Sequence, residues 1–206
     1  MKLLKTCWIR EDLENYNNID MLWFNFIEYS KRYISPEKAS EIETPFSTLR
    51  VWVFGIQDEN KGWQYIKKNE LVDIILTAKK AKMNAIQIHW DCDFAYLKLY
   101  SYLVINSINI EKEELNNDNI DFYIIDWVNP WSGEWYNYSK INDLKLQKKF
   151  LVAGWINEKN VWEVFEIFKD SEYFCGVDIA SWVDNWKNIC LKKVGEIVEG
   201  MNGSNN

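Results

Sequence analysis

The chain has 206 residues and a formal net charge of −7, and 48% of its residues are hydrophobic and 27% charged. That length can bury one good-sized core but is short for two, and the composition is that of a soluble globular protein. The negative charge argues against nucleic acid or an anionic membrane as the main partner, although a local site can still bind a small anionic ligand.

Apolar runs of strand length alternate with helical segments along the chain. The predicted strands are Lys2–Cys7, Ile19–Phe26, Leu49–Phe54, Asn84–His89, Tyr102–Ile108, Phe122–Asp126, Phe150–Ala153 and Gly176–Ile179. The predicted helical segments are Ile9–Asn17, a helix with Ser35 as N-cap and Pro36 at its first position, Glu70–Lys82, Asp93–Leu99, Glu111–Leu115, Asn137–Leu146, Glu158–Phe168 capped by Asn157, and Asn188–Glu199. A loop rich in turn formers, V-N-P-W-S-G-E-W at residues 128–135, follows the sixth strand.

This alternation predicts the fold class. Eight strand–helix repeats indicate an α/β protein with a parallel sheet, and the number eight favours a closed (βα)8 TIM barrel over an open doubly wound sheet. No linker or shift in composition marks a second domain. We therefore expect a single barrel domain over residues 1–200 and a disordered tail over residues 201–206.

The cysteine and histidine content argues against a metal centre. The four cysteines show no CxxC spacing and the chain has one histidine, so no credible zinc set is present. The polar N-terminus has no apolar stretch long enough for a signal peptide or a membrane span. We expect a cytoplasmic protein with no metal, no membrane association and no nucleic-acid partner.

Candidate catalytic residues stand where the predicted strands end, because barrel enzymes place their chemistry at the C-terminal ends of the strands. Cys7 and Asp126 end strands on opposite sides of the barrel and could face each other as general base and general acid. A cysteine needs a lowered pKa for that task, and otherwise Cys7 is a buried inert thiol and Asp126 a cap. His89 is either a catalyst or a hydrogen-bonded structural residue. Arg32 could bind a carboxylate bidentately or lie on the surface.

The last two predicted strands suggest a phosphate site. F-L-V-A-G-W (150–155) and F-C-G-V-D-I-A-S-W (174–182) each end in small residues just before a helix, which is typical of a phosphate cradle in a barrel. Trp155 and Trp182 stand where backbone amides should approach the phosphate. The chain has 12 Trp and 8 Gly, whereas an average glycine usage of about 7% would give roughly 14.

Six blocks of sequence together resemble phosphoribosylanthranilate isomerase, the Amadori-rearrangement enzyme of tryptophan biosynthesis. They are K-T-C-W-I, S-K-R-Y-I-S-P, Q-I-H-W-D, D-W-V-N-P-W-S-G-E, L-V-A-G-W-I-N-E-K-N-V and G-V-D-I-A-S-W-V-D-N-W-K, in order between Lys2 and about Val198. The family is one of TIM barrels that use no cofactor or metal and occur as monomers or homodimers, so the resemblance implies the same here.

The resemblance also implies residue roles. Asp126 matches the general acid that protonates the ribose ring oxygen, and Cys7 matches the general base that removes the C2′ proton. Arg32 matches the arginine that holds the anthranilate carboxylate, and His89 and Asp178 lie among the substrate-binding residues. The matching phosphate-binding residues are Gly154, Trp155, Ser181 and Trp182.

Tryptophan replaces glycine at many positions of the family pattern. The positions are Trp8, Trp23, Trp52, Trp90, Trp127, Trp131, Trp135, Trp155, Trp182 and Trp186, while Trp63 and Trp162 have no clear counterpart. Independent mutation would not converge on the largest side chain. We hypothesise that these codons are UGA, which some bacterial lineages read as glycine, translated with a table that reads UGA as tryptophan.

Two other interpretations remain open from the sequence. The first is a different phosphosugar barrel enzyme, similar to indole-glycerol-phosphate synthase or a histidine-pathway isomerase, which would use a lysine pair or an aspartate pair without cysteine. The second is a non-catalytic barrel whose tryptophans are genuine and form an exposed patch that binds carbohydrate or a partner.

Overall fold

The structure is a computed structural model that describes residues 2–7, 18–26, 32–54, 68–89, 91–109, 115–126, 137–183 and 189–203. Eight parallel strands close into a barrel in which each strand pairs with its neighbours in sequence and the last pairs with the first. The strands are β1 (Leu3–Cys7), β2 (Met21–Phe24), β3 (Leu49–Phe54), β4 (Ala85–Ile88), β5 (Leu103–Asn109), β6 (Phe122–Asp126), β7 (Phe150–Ala153) and β8 (Phe174–Ile179). The predicted (βα)8 TIM barrel is confirmed.

The strands are apolar on both faces because each is covered on both sides, as parallel strands usually are. One buried cluster takes alternate strand positions and fills the barrel interior: Leu3, Met21, Val51, Val53, Ala85, Ile105, Ile124, Leu151 and Ala153. The intervening positions, such as Leu22, Ile86 and Val152, belong to a larger cluster that includes the buried faces of the helices. This alternation decides which residue near each strand end can reach a cavity inside the barrel.

In the described part of the chain the α-helices are α1 (Pro36–Glu41), α2 (Lys68–Lys80), α3 (Phe94–Lys98), α4 (Val161–Ile167) and α5 (Leu191–Met201). None of them combines the length and the apolar character that crossing a membrane requires. α1 begins as predicted, since Ser35 Oγ accepts the Lys38 N–H at 3.1 Å and Pro36 is the first helical residue. The predicted helix Ile9–Asn17, most of Glu111–Leu115 and the loop at 128–135 lie outside the described residues.

Several helical predictions differ from the structure in their ends or their type. α2 and α3 are each displaced or shortened by one or two residues relative to the predicted segments. The segment after Asn137 is a 3-10 helix, Tyr138–Leu144, which stops at the left-handed residue Lys145. α4 starts after Asn160 rather than after Asn157, because the Asn157 carbonyl accepts the N–H groups of Asn160 and Val161 in a separate turn. α5 runs through the buried residue Met201, one residue past the predicted domain boundary.

Gly176 is required where the barrel closes. It pairs with Leu3 of β1, and a Cβ at this position would lie 1.9 Å from the Leu3 carbonyl oxygen. Its φ of 153° is also rarely adopted by residues with a side chain. On the other side of β8 the register shifts, since Phe174 pairs with Phe150 while Gly176 pairs with Leu151. Both the bulge in β8 and the close approach of the β1 and β8 backbones therefore require glycine at this position.

Arg50 of β3 ties the barrel to two helix ends. Its guanidinium donates hydrogen bonds to the carbonyls of Ile42 and Ala39, at the end of α1, and to those of Ala81 and Lys82, just after α2. The side chain is buried and its guanidinium carbon lies 4.5 Å from the centroid of the Phe24 ring. One planar cation thus binds four carbonyls at the two helix ends, and that of Ala39 also accepts the Ile42 N–H.

We expect Arg50→Met to lower the free energy of unfolding by about 3 kcal/mol, because the buried carbonyls at the two helix ends lose their guanidinium donor. Arg50→Lys should recover only part of this loss, since an ammonium cannot reach all four acceptors in one plane. Urea denaturation measures both. Lys79→Met, on the exposed face of α2, is the control and should change stability by less than about 0.5 kcal/mol. A loss below about 1 kcal/mol for Arg50→Met would contradict the prediction.

Candidate active site

A cavity of about 440 Å³ opens at the C-terminal ends of the strands. Asp126, Ala153 and Ile179, which line it, are the last residues of β6, β7 and β8. The remaining lining residues are Lys5, Trp23, Arg32, Val53, Gln87, His89, Ser107, Ile124, Gly154, Trp155, Ile156, Asp178, Ala180 and Ser181. The cavity therefore lies at the end of the barrel where barrel enzymes carry out their reactions.

Most of the predicted site residues meet in this cavity. Those that line it are Arg32, His89, Asp126, Gly154, Trp155, Asp178 and Ser181. Trp182 does not line it, because the chain turns outward after β8 and the indole packs 4.8 Å from Lys193 Nζ of α5, which also donates to the Trp182 carbonyl. Cys7 is the last residue of β1, where its backbone pairs with Trp23, and its side chain lies outside the described part of the structure.

A buried ion pair lies in the cavity wall between β1 and β8. Lys5 and Asp178 are direct partners in the parallel ladder, and Lys5 Nζ donates to Asp178 Oδ2 at 2.8 Å. The Lys5 residue has 0% of its surface exposed, and the Asp178 side chain 13%. A lysine this deeply buried needs such a partner, since desolvating an unpaired ammonium is costly.

His89 follows β4 and lines the same cavity. Burial, and to a smaller extent the positive charge of Lys5, lowers the pKa of His89 to about 4. Its Nε2 lies 3.2 Å from Gln87 Nε2, which fits a neutral imidazole accepting a hydrogen bond from the amide. At neutral pH the cavity therefore presents His89 as an uncharged polar group.

The lowered pKa of His89 predicts a pH dependence of stability. The unfolded chain binds a proton on His89 below about pH 6.5, whereas the folded chain resists doing so until about pH 4, so stability rises with pH across that window. We expect a contribution of about 2–3 kcal/mol that is complete above pH 6.5 and is lost as the pH falls toward 4. Denaturation of wild type and His89→Gln at pH 7 and pH 4.5 measures it. A difference between the two proteins that does not change with pH would reject it.

Three cavity-lining side chains have a buried polar atom with no hydrogen-bond partner among the described residues: Trp23 Nε1, Gln87 Oε1 and Asp178 Oδ1. Leaving such an atom unsatisfied costs about 1–3 kcal/mol. Trp23 also lies against two cations, with its ring centroid 5.5 Å from Lys5 Nζ and 5.9 Å from Arg32 Cζ. The wall around Lys5 thus holds polar groups that a ligand could satisfy.

The loop after β7 has an unusual backbone. Gly154 has a φ of 87° and Trp155 a φ of 53°, so two successive residues are in the left-handed region. The Trp155 carbonyl accepts from Asn160 Nδ2 at 3.0 Å, and the Gly154 carbonyl accepts from the Tyr138 hydroxyl at 3.0 Å. Trp155 is 66% exposed at the cavity mouth. Glycine is the residue that adopts this conformation without strain.

Sequence reasoning missed Lys5, Trp23, Gln87 and Ser107 as lining residues. Lys5 is the residue that could have been found, because a lysine inside the apolar run L-L-K-T-C has to be paired if that run is a barrel strand. Gln87 and Ser107 lie within strands, and nothing in the sequence indicates which strand face points inward. Across the described residues, no group of three or more His, Cys, Asp or Glu side chains is placed to hold a metal ion.

The family model described as "N-(5'phosphoribosyl)anthranilate (PRA) isomerase" matches residues 12–188 of the chain. The chain belongs to the phosphoribosylanthranilate isomerase family. It is 25% identical over 185 residues to N-(5'-phosphoribosyl)anthranilate isomerase of Streptococcus mutans serotype c, an alignment that covers 88% of this chain and 87% of that protein.

Solved structures of phosphoribosylanthranilate isomerases share the barrel. The enzyme from Thermotoga maritima superposes with a TM-score of 0.73 at 23% identity, covering 98% of this chain and 100% of that one. A second isomerase structure, a complex with reduced 1-(o-carboxyphenylamino)-1-deoxyribulose 5-phosphate, superposes with a TM-score of 0.68 at 21% identity over 98% and 100% of the two chains. At these identities the structural likeness shows the fold.

Membership of the phosphoribosylanthranilate isomerase family decides between the classes that the sequence left open. The chain is an isomerase of tryptophan biosynthesis, as the resemblance implied. The interpretation as a non-catalytic, tryptophan-rich binding barrel is therefore wrong.

Proposed function

We propose that the chain converts N-(5-phosphoribosyl)anthranilate into 1-(2-carboxyphenylamino)-1-deoxyribulose 5-phosphate. The observation that carries this proposal is the cavity at the strand ends, in which a carboxylate, an arginine and the loops after β7 and β8 meet in a chain of this family. The substrate has a carboxylate at one end and a phosphate at the other, so it needs anion-binding groups on both sides of the reacting sugar carbons.

Asp126 is the general acid in this proposal. It ends β6 at the cavity, and its residue surface is exposed, so it can approach a sugar ring oxygen in that space. The proton that it gives to the ring oxygen breaks the bond between this oxygen and C1′ and leaves a Schiff base to the anthranilate nitrogen. Proton transfer of this kind contributes about 10²–10⁴-fold to a rate.

Cys7 is the general base in this proposal. It takes the C2′ proton, and the electrons of the C2′–H bond move into a C1′–C2′ double bond to give an enolamine, which tautomerises to the ketone. β1 and β6 are separated by β7 and β8 around the closed barrel, so their ends lie across the opening from each other. Cys7 ends β1 two positions after Lys5, and a cysteine accepts a proton only as its thiolate.

Arg32 and the last two loops bind the ends of the substrate in this proposal. Arg32 takes the anthranilate carboxylate, since a guanidinium binds carboxylates in a bidentate way. Residues 154–155 and 181–182 offer backbone N–H groups to the ribose 5′-phosphate. His89 and Asp178 supply polar contacts between these ends. We expect a cytoplasmic enzyme, monomeric or homodimeric, that needs no cofactor.

We also infer that the tryptophans at family glycine positions are glycines in the natural protein. Trp155 supports this with its left-handed backbone, and Trp23 with an indole N–H buried without an acceptor among the described residues. Trp52 is accommodated in the core against Phe26 and Phe54, so it gives no support of this kind. The gene decides the matter: UGG codons at these positions reject the inference, and UGA codons predict glycine in the mass spectrum of the native protein.

The function is tested with the chain made in two forms, as written and with glycine at the ten matching positions. Each is given phosphoribosylanthranilate, and the product is identified by chromatography. The same two genes are placed in a bacterium that lacks this isomerase and grown without tryptophan. We expect the glycine form to isomerise the substrate and restore growth. A folded glycine form that does neither would overturn the proposal, and activity on an indole-glycerol-phosphate or histidine-pathway precursor instead would favour the alternative barrel enzymes.

A further inference from the structure

The buried lysine Lys5 lines the cavity, and the proposed reaction gives it no role. It sits in the middle of β1, below the strand end where the reaction would take place, and its whole surface is buried. A buried ammonium is costly and is retained in proteins when it has a specific partner or task. Its partner is Asp178, which lies opposite it in the β1–β8 ladder.

The ion pair fixes the carboxylate in a defined position. Lys5 Nζ binds Asp178 Oδ2 at 2.8 Å, while Asp178 Oδ1 has no hydrogen-bond partner in the described part of the chain. One oxygen is thus held by the protein and the other is left for a ligand. Without the ammonium, the Asp178 side chain would lose the contact that selects this rotamer and would turn toward other donors or solvent.

The charged and titratable groups that share the cavity with Lys5 come from several parts of the barrel. The cavity lining contributes Asp178 from β8, Asp126 from β6, His89 after β4 and Arg32 before α1. The pKa of His89 depends on the Lys5 charge as well as on burial, because a positive charge at Lys5 opposes a second positive charge on the imidazole. The chain contains a single histidine, so its titration can be followed without assignment.

We propose that Lys5 is a positioning residue of the active site, whose ammonium holds the Asp178 carboxylate toward the substrate and places a positive charge in the cavity that His89 also lines. It acts through these two side chains and does not itself contact the reacting atoms. The effect on turnover rests on the function proposed above, whereas the effect on His89 does not.

The test compares four variants: Lys5→Met, Asp178→Asn, the double variant with both changes, and Lys98→Met. The double variant removes both charges of the pair and keeps side chains of similar size, so it remains informative if Lys5→Met alone fails to fold. Lys98→Met is the matched control, because Lys98 pairs with Asp121 at 2.7 Å outside the cavity. The readouts are the NMR titration of the histidine ring and the values of kcat and KM.

We expect the His89 midpoint of the double variant to lie roughly half a pH unit or more above that of Asp178→Asn, because only the former lacks the Lys5 charge. The control should leave the midpoint unchanged. Lys5→Met should lower kcat roughly 10- to 100-fold through misplacement of Asp178, with a smaller change in KM. Adding Lys5→Met to the Asp178→Asn variant should lower kcat by a much smaller factor than Lys5→Met does on its own.

Two results would overturn the inference: an unchanged His89 midpoint on removal of Lys5, or losses of kcat that simply multiply in the double variant. If the glycine form without these substitutions does not isomerise phosphoribosylanthranilate, the proposed function fails. The histidine titration then still decides whether Lys5 sets the charge of His89.

Discussion

Asp126→Asn and Cys7→Ala are each expected to lower kcat for phosphoribosylanthranilate about 10²–10⁴-fold, with little change in KM. An amide cannot protonate the sugar ring oxygen, and alanine cannot remove the C2′ proton, so each change removes one proton transfer and leaves the binding groups in place. Steady-state kinetics of the glycine form measure both losses. Circular dichroism and denaturation should show that the fold is intact, because Asp126 is exposed at its strand end.

Two matched substitutions control for the loss of a carboxylate or a thiol from the barrel. The first is Asp121→Asn. Asp121 lies just before β6, at the opposite end of the strand from Asp126, where it accepts hydrogen bonds from Lys98 and from the Val104 N–H. Cys175→Ala removes a thiol near the start of β8. Both controls should keep kcat within about threefold of the unsubstituted protein, since neither residue lines the cavity. If Asp126→Asn or Cys7→Ala retains turnover like these controls, that residue has no catalytic role.

Replacing Trp23, Trp155 and Trp182 together by glycine is expected to raise kcat/KM by about 10²-fold or more over the chain as written. Trp155→Gly relieves a left-handed backbone that costs a bulky residue about 1–2 kcal/mol and clears the indole from the cavity mouth. Trp23→Gly removes a ring that lies against Lys5 and Arg32, the two cations of the cavity. Trp182→Gly restores the family glycine in the loop after β8 and releases that loop from the contact between the indole and Lys193. Kinetics and thermal denaturation of the two proteins measure the change.

Trp162→Gly separates this effect from a general benefit of removing tryptophan. Trp162 is exposed on α4, bonds the Lys159 carbonyl through Nε1, and has no clear glycine counterpart in the family pattern. Glycine there should lower stability by about 1 kcal/mol, because it weakens a helix, and leave kcat/KM unchanged. A triple glycine variant no better than the chain as written would argue that the tryptophans are genuine and tolerated.

The strand predictions held best where strand ends coincide with changes of composition. Leu49–Phe54, Phe122–Asp126 and Phe150–Ala153 have the predicted bounds because polar or small residues interrupt an apolar run at both ends. The second strand was predicted too long, since Ile19 and Phe26 are apolar without taking part in the ladder. An apolar run indicates which residues are buried, and buried residues continue past the last hydrogen bond of the strand ladder.

Helix starts were harder to predict because several asparagines compete as caps. Asn157 and Asn160 both bind backbone or loop groups after β7, and Asn157 opens a turn while α4 begins after Asn160. The local signals are equivalent, and only the path of the loop around Trp155 distinguishes them. The same holds for the segment after Asn137, where residue spacing indicates a helix but does not distinguish an α-helix from a 3-10 helix.

The sequence by itself determined the barrel, its eight strands and the set of residues at the strand ends, because strand–helix alternation and the family blocks are both local patterns. Tertiary structure alone decided which of these residues meet. It placed Arg32, His89, Asp126 and Asp178 around one cavity and turned Trp182 away from it. It also paired Lys5 with Asp178, residues 173 positions apart, because the closure of β8 onto β1 brings the two ends of the chain together.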